Sequence, residues 1–147
     1  MNPVVPVKKL RPDAQLPVYG SAYAAGADLR ACMDAPITID PGQTAMVPTG
    51  LTMEIPIGYA GLVYARSGLA AKRGLAPANK VGVVDADYRG ELMVALHNHS
   101  AQSQTIEPGE RIAQLVITPF LTAQYEEAQT LSETVRGTGG FGSTGTR

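Results

Sequence analysis

The chain has 147 residues, 44% of them hydrophobic, which is enough for one domain with a buried core and excludes a disordered protein. Twelve basic and thirteen acidic residues give a net charge of −1, which disfavours a general binder of nucleic acid or of membrane surfaces. The single cysteine, Cys32, excludes an internal disulfide, and neither a membrane span nor a signal peptide is predicted. We therefore expect a soluble, cytoplasmic protein.

Short runs rich in Val, Ile, Thr and Tyr recur between turn signals, which is typical of an all-β sandwich, barrel or jelly roll. Two of the turns, Asp40–Gln43 and Glu107–Glu110, have Pro and then Gly at their centre, as a type II turn requires. The predicted strands are Val4–Leu10, Thr44–Val47, Leu51–Ile55, Tyr59–Ala65, Leu92–His97 and Ile112–Thr118.

One aspartate, Asp28, stands in the small and apolar run Ala25–Leu29. A buried carboxylate is unfavourable without a partner, so a functional Asp28 would have to meet a metal ion or water. An ordinary turn aspartate is the alternative.

The stretch Ser67–Arg73 is predicted to form one or two helical turns, with Ser67 as the N-cap and Gly74 as the stop. The free amides at such a helix start could bind an anion. Arg66 would add a charged donor, and Gly68 would leave room for close approach. An ordinary capped surface helix is the alternative.

A β-hairpin is predicted next, with Val81–Val84 leading in, Asp87–Gly90 turning and Leu92–Leu96 leading out. Asp85 and Asp87 would share one face if the first strand continued that far. The functional interpretation is a general base beside an aromatic platform, with backbone groups free to pair with the polar edge of a nucleobase. The alternative is a polar hairpin tip.

The stretch Gly109–Ile117 is a turn that runs into a strand. Arg111 and Gln114 are expected on opposite faces of that strand, which does not indicate a joint role.

Three further side chains lack partners nearby in the sequence. His97 and His99 could ligate zinc only with a third ligand, which the neighbouring residues do not offer. Cys32 has no neighbouring base, so a buried thiol is favoured over a nucleophile.

The tail, RGTGGFGSTGTR, is rich in glycine and matches G-x-G-x-x-G at Gly137, Gly139 and Gly142. A dinucleotide loop also needs a following helix and an acidic residue about 20 positions further on, which excludes that function. Ordering each tail residue costs roughly 1–2 kcal/mol, and Phe141 alone offers apolar surface to offset it. We therefore expect a β domain over residues 1–135 and a mobile arm over 136–147 that a ligand orders.

Taken in order, AGADL, ARSGLA, NKVGVVDADYRGEL, GERIAQLVI and RGTGGFGSTG resemble the five motifs of the trimeric deoxyuridine triphosphatases (dUTPases). Two departures are Ala65, where many members have glycine, and the lack of tryptophan. The resemblance implies a jelly-roll-like homotrimer with active sites between subunits, and no nucleic-acid or membrane partner. It also implies Mg²⁺-dependent hydrolysis of dUTP to dUMP and pyrophosphate, which keeps uracil out of DNA and supplies dUMP for dTMP synthesis.

The resemblance also implies individual roles. Asp85 would orient and deprotonate the attacking water, and Asp28 would hold a hydrated Mg²⁺ through water. Tyr88 would pack under the deoxyribose, and Gln114 would help to fix substrate or water. The other substrate-binding residues implied are Arg66, Ser67 and Gly68 at the phosphates, Asn79, Gly82 and Val84 at the uracil, Met93 elsewhere in the substrate site, and Arg136, Phe141, Gly142, Ser143 and Thr144 in the tail.

Two other functions are compatible with parts of this pattern. A dCTP deaminase shares the fold and the phosphate grip, but that family resembles Arg-Ser-Ser where this chain has Arg66-Ser67-Gly68. A catalytically silent nucleotide-binding or scaffold protein would be expected to lose Asp85 or the tail motif, and this chain has both. The sequence therefore favours the hydrolase.

Overall fold

The computed structural model describes residues 2–145, which contain twelve short strands and one helix, α1. The helix spans Ser67–Arg73. The strands are β1 (Val7–Lys9), β2 (Val18–Tyr19), β3 (Ala27–Arg30), β4 (Ile37–Ile39), β5 (Thr44–Pro48), β6 (Leu51–Met53), β7 (Tyr59–Tyr64), β8 (Leu75–Pro77), β9 (Gly82–Val84), β10 (Met93–Asn98), β11 (Gln104–Ile106) and β12 (Arg111–Pro119).

The strands form four antiparallel sheets that enclose one main core. The largest has the order β2-β3-β12-β7-β9, a second has the order β5-β10-β8, and β1–β6 and β4–β11 form two pairs. This arrangement confirms the predicted all-β, jelly-roll-like fold with one short helix. The largest fully buried apolar side chains are Leu29, Ile39, Leu51, Ile55, Leu75, Leu96, Ile106 and Ile112.

Every predicted strand run contains a strand, and both predicted type II turns are confirmed. Gly42 has a φ of 74° and Gly109 a φ of 81°. The amide of Gln43 donates to the carbonyl of Asp40 at 3.0 Å, and that of Glu110 donates to Glu107 at 3.1 Å.

Helix α1 lies where it was predicted, but it begins differently. The N-cap is Arg66, whose φ of −90° and ψ of 130° are still extended, and no side chain caps the helix. Because Arg66 still has extended dihedral angles, Ser67 is the first helical residue and not the cap, and its hydroxyl is not used for capping. Gly74 ends the helix as predicted, with a φ of 65°.

The predicted hairpin is wrong in its pairing. β9 pairs with β7, whereas β10 pairs with β5 and β8. Each strand therefore finds its hydrogen-bond partners in a different sheet. The turn lies at Asp85–Tyr88, where the amide of Tyr88 donates to the carbonyl of Asp85 at 3.2 Å. Since β9 ends at Val84, Asp85 and Asp87 share no strand face.

After β12 the described chain contains neither helix nor strand. Its residues are exposed from Pro119 to Thr138, and the amide of Phe120, at the start of this segment, donates to the carbonyl of Gly58 at 3.1 Å. Within residues 2–145, no helix is long and apolar enough to cross a membrane.

Candidate active site

A cavity of about 300 Å³ lies between β9 and β10, where the two strands separate into different sheets. Six of its lining residues are among those that the sequence assigns to the substrate or to catalysis: Asn79, Gly82, Val84, Asp85, Tyr88 and Met93. Val83 lies within the Gly82–Val84 backbone that the resemblance assigns to the uracil, and the sequence missed the rest, which are Met46, Val63, Pro77, Glu91, Leu92, Val94 and Ala95. Met46 comes from β5, and no local sequence pattern indicates that β5 faces this cavity.

Asp85 follows β9 directly and is exposed beside this cavity. No hydrogen bond occupies its carboxylate within residues 2–145. A free carboxylate next to a substrate-sized cavity can accept a proton from a water molecule.

A second cluster surrounds Asp28 on β3. Its Oδ1 accepts a hydrogen bond from Arg66 Nε at 2.8 Å, and its Oδ2 accepts one from Arg111 Nη1 at 3.3 Å. The side chain of Asp28 is 17% exposed. Two guanidinium groups outnumber the one carboxylate, so the cluster carries net positive charge and suits an anionic ligand.

Arg111 and Gln114 lie on the same face of β12, contrary to the sequence prediction. Arg111 pairs with Arg30 and Gln114 pairs with Asp28, which are two residues apart on β3, and the register shifts between Arg111 and Ala113. This bulge adds one residue to β12, which reverses the alternation and turns both side chains toward the face of Asp28. Arg111 therefore belongs to the Asp28 cluster, although the sequence prediction gave it no joint role with Gln114.

Gln114 fixes the segment that leads into α1. Its Nε2 donates to the carbonyl of Ala65 at 2.8 Å. A Cβ at Gly26 would lie 2.3 Å from Gln114 Oε1 and 3.0 Å from its Cβ, so the glutamine occupies the space that a side chain at Gly26 would need.

We expect Gly26→Ala to lower the free energy of unfolding by about 1–3 kcal/mol, because the clash includes Gln114 Cβ and rotating the amide cannot relieve it. Turnover should fall as well, since Gln114 would release Ala65. Urea unfolding and activity assays measure both effects. Gly20→Ala is the matched control, because a Cβ there meets nothing within 4 Å. Unchanged stability of Gly26→Ala would show that Gln114 moves aside freely.

Ser67 and Gly68 begin α1 and are exposed. A Cβ at Gly68 would meet nothing within 4 Å, so open space adjoins this turn. Together with Arg66, they border the Asp28 cluster.

One chain does not bring Asp85 and the Asp28 cluster together, because they lie toward opposite ends of β7. Gly61 pairs with Val84, directly before Asp85, whereas Arg66 follows the other end of the strand. The segment from Gly61 to Arg66 spans about 17 Å, at about 3.3 Å per extended residue. Within one chain, Asp85 and the cationic cluster are therefore separate, whereas the cavity extends along β7 as far as Val63.

The described part of the tail also lies apart from Asp85 and from the Asp28 cluster. Arg136 Nε donates to the carbonyl of Gly139 at 2.8 Å, within the tail itself. Phe141 is fully exposed with a φ of 51°, and Gly142, Ser143 and Thr144 form an exposed turn. Residues 146 and 147 of the predicted arm lie outside the described residues. The mobility of the arm stays a prediction.

The two histidines are neighbours on β10 and just after it. Their ring centroids are 4.5 Å apart, and His97 Nδ1 lies 2.9 Å from Thr44 Oγ1. Partial desolvation lowers the pKa of His99, although its side chain is exposed, and His97 and Lys80 add to this effect. In the part of the chain that the structure describes, no group of three or more His, Cys, Asp or Glu side chains could hold a metal ion.

Cys32 is buried, and burial raises the pKa of its thiol above the ordinary value. The thiol form is therefore favoured, which disfavours a nucleophilic role.

The order of the motifs and the geometry above match a known family. The dUTPase family model matches residues 12–145, which is most of the chain. The chain belongs to the dUTPase family. This dUTPase is 52% identical over 132 residues to the deoxyuridine 5'-triphosphate nucleotidohydrolase of Thiobacillus denitrificans, covering 89% of this chain and 90% of that protein. It is 48% identical over 141 residues to that of Syntrophotalea carbinolica, with 96% of each chain covered.

Solved structures of dUTPases share the fold. The Staphylococcus bacteriophage 80alpha dUTPase with dUPNHPP superposes with a TM-score of 0.89 at 30% identity, covering 98% of this chain and 99% of that one. Together with the named relatives, this likeness identifies this dUTPase as a dUTP-hydrolysing enzyme with the all-β fold of its family.

Proposed function

We propose that this dUTPase cleaves dUTP to dUMP and pyrophosphate, with Asp85 as the general base and Mg²⁺ as the cofactor. The observation that carries the proposal is the free carboxylate of Asp85 beside the cavity between β9 and β10. A positioned carboxylate contributes typically 10²–10⁴-fold to a hydrolytic rate. In this reaction Asp85 takes a proton from water, the water oxygen bonds to the α-phosphorus, and pyrophosphate leaves with the electrons of the broken P–O bond.

Uracil is proposed to occupy the cavity. The backbone of Gly82–Val84, which lines the cavity, and the side chain of Asn79 offer polar groups. Met93 and Leu92 form apolar walls. A base whose donors and acceptors do not match leaves buried polar groups unpaired, which can reduce kcat/KM by about 10⁴–10⁵-fold. Exclusion of thymine would require its methyl group to clash with a rigid cavity wall, because lost apolar contact alone is worth only about 1–3 kcal/mol.

The triphosphate is proposed to bind the cationic cluster. Arg66 and Arg111 hold Asp28 between them, and the exposed hydroxyl of Ser67 is not used as a helix cap. Gly68 leaves open space in which phosphate oxygens can approach the backbone. The binding of dUPNHPP by the phage relative supports a nucleotide ligand for this arrangement.

The residues of the cluster fit a hydrated Mg²⁺. Arginine side chains occupy both carboxylate oxygens of Asp28, so direct ligation is disfavoured, but each oxygen has a further lone pair for a metal-bound water. Mg²⁺ in nucleotide sites commonly keeps several waters and binds through substrate phosphates. When bound, it would neutralise charge on the phosphate oxygens.

We also propose a homotrimer with shared active sites. The support is the separation of about 17 Å along β7 between Asp85 and the cationic cluster of one chain. A cavity from one subunit, the cluster from a second and the arm from another would complete one site. The proposed enzyme acts in the cytoplasm on free nucleotide, without a nucleic-acid or membrane partner, and its reaction keeps uracil out of DNA and supplies dUMP for dTMP synthesis.

The deciding experiment measures pyrophosphate release from dUTP, dTTP, dCTP and UTP, each with Mg²⁺ and with EDTA. We expect release from dUTP alone at an appreciable rate, and loss of that release in EDTA. Ammonia or dUTP formed from dCTP would show a deaminase instead. Nucleotide binding without turnover of any substrate would show a silent binding protein.

A further inference from the structure

The ring of Tyr88 lies directly over Gly90. A Cβ at Gly90 would be 2.4 Å from Tyr88 Oη, 2.6 Å from Cζ and 2.9 Å from Cε2. Gly90 is not among the residues with a positive φ, so its backbone would admit alanine. The ring, and not the backbone conformation, is therefore what requires glycine at this position.

The hydroxyl of Tyr88 is held by the backbone of Glu91, three residues further along the chain. Tyr88 Oη donates to the carbonyl of Glu91 at 2.9 Å, although the ring itself is 46% exposed. This hydrogen bond and the contact with Gly90 together fix the position of the Tyr88 ring beside the cavity.

Glu91 in turn is fastened to a buried part of the core. Its Oε1 accepts the amide of Gly50 at 2.8 Å. The neighbouring Leu92 donates to the carbonyl of Leu51 at 2.7 Å and accepts the hydroxyl of Thr49 at 2.6 Å. Thr49 and Leu51 are both fully buried. The loop end that carries the acceptor for Tyr88 is thus anchored at three points.

We propose that Glu91 is a positioning residue that sets the place of Tyr88 and, through it, the preference for deoxyribonucleotides over ribonucleotides. This placement also depends on Gly90, whose lack of a side chain leaves room for the ring. The inference rests on the proposed function, in which Tyr88 packs under the sugar. Exclusion of a single hydroxyl by contact requires the blocking group to be held within about 0.5 Å. An exposed tyrosine ring meets that requirement only if its hydroxyl end is fixed.

The test compares kcat/KM for dUTP and UTP by pyrophosphate release, at enzyme concentrations high enough to quantify slow UTP turnover. Glu91→Ala should lower the preference for dUTP by about threefold to tenfold, the range expected from losing one hydrogen bond. Glu91→Gln keeps an acceptor for the Gly50 amide and should retain the preference. Glu107→Ala, an exposed glutamate remote from the cavity, is the matched control and should change neither rate.

A second variant guards against a folding defect. Tyr88→Phe removes the hydroxyl alone and should lower the preference to a similar extent. The double variant Glu91→Ala/Tyr88→Phe should lose no more than either single variant, because both remove one linkage. Gly90→Ala should raise KM for dUTP more than it lowers kcat, since the methyl group crowds the ring against the cavity.

Equal losses for dUTP and UTP in Glu91→Ala, or multiplicative losses in the double variant, would overturn the positioning role. Failure of the proposed function would look different, because the wild-type protein would then release no pyrophosphate from dUTP.

Discussion

Asp85→Asn should lower pyrophosphate release from dUTP by about 10²–10⁴-fold, the usual contribution of a general base. Asparagine has the size of aspartate, so the cavity between β9 and β10 keeps its shape. The amide cannot accept a proton from water near neutral pH. Binding of a non-hydrolysable dUTP analogue should therefore stay nearly intact, which calorimetry can measure alongside turnover.

Asp87→Asn is the matched control for this variant. Asp87 lies in the same turn, two residues further on, and is exposed, but it does not line the cavity. Its replacement should leave turnover within about twofold of wild type, as is usual for surface positions without partners. If Asp85→Asn also turned over dUTP at a near-normal rate, the base would have to be another group.

The elements that follow from local pattern were predictable. Helix α1 and its stop at Gly74 depend on neighbouring residues, and so do the two type II turns. The sequence missed five short strands, which offer little pattern: β2, β3, β4, β8 and β11. β3, for example, consists of Ala, Asp, Leu and Arg, whose small and charged members hide the alternation.

The arrangement of the site depends on non-local pairing, which a single sequence does not reveal. β9 and β10 are close in the chain and looked like a hairpin, yet their partners lie in different sheets, and the cavity exists only because of that separation. The bulge in β12 is likewise defined by the pairing of β12 with β3, which the sequence of β12 alone does not indicate. This one inserted residue brings Arg111 to the same face as Gln114, where it bonds to Asp28.

The division of the site also explains why its motifs are scattered along the chain. Asp85 and the Asp28 cluster lie toward opposite ends of β7, which separates them. In the proposed homotrimer, a subunit with this layout would gain a complete site by presenting its Asp85 to the Asp28 cluster of a neighbour. In that assembly, the ordered series of motifs in the sequence would correspond to surfaces that meet between chains.

Deleting residues 136–147 should lower kcat/KM for dUTP by about 10²-fold while leaving thermal stability nearly unchanged. Contacts of Arg136 with phosphate are worth about 1.5–3 kcal/mol and stacking of Phe141 on the base about 1–3 kcal/mol, against which the ordering of the arm must be set. Stability should hold because the described part of the arm is mostly exposed. Pyrophosphate release and thermal unfolding measure the two effects, and Arg136→Ala and Phe141→Ala should each reproduce part of the loss.

A complementation experiment determines whose site the arm closes. Chains lacking residues 136–147 retain Asp85, and Asp85→Asn chains retain the arm, so each is nearly inactive alone. Co-refolding the two should restore measurable turnover if the arm of one chain closes a site whose base belongs to another. A mixture no more active than its parents, despite mixed oligomers seen by native mass spectrometry, would mean that each arm serves the base of its own chain. Restored activity would make the exposed arm the third contribution to a site that one chain cannot complete.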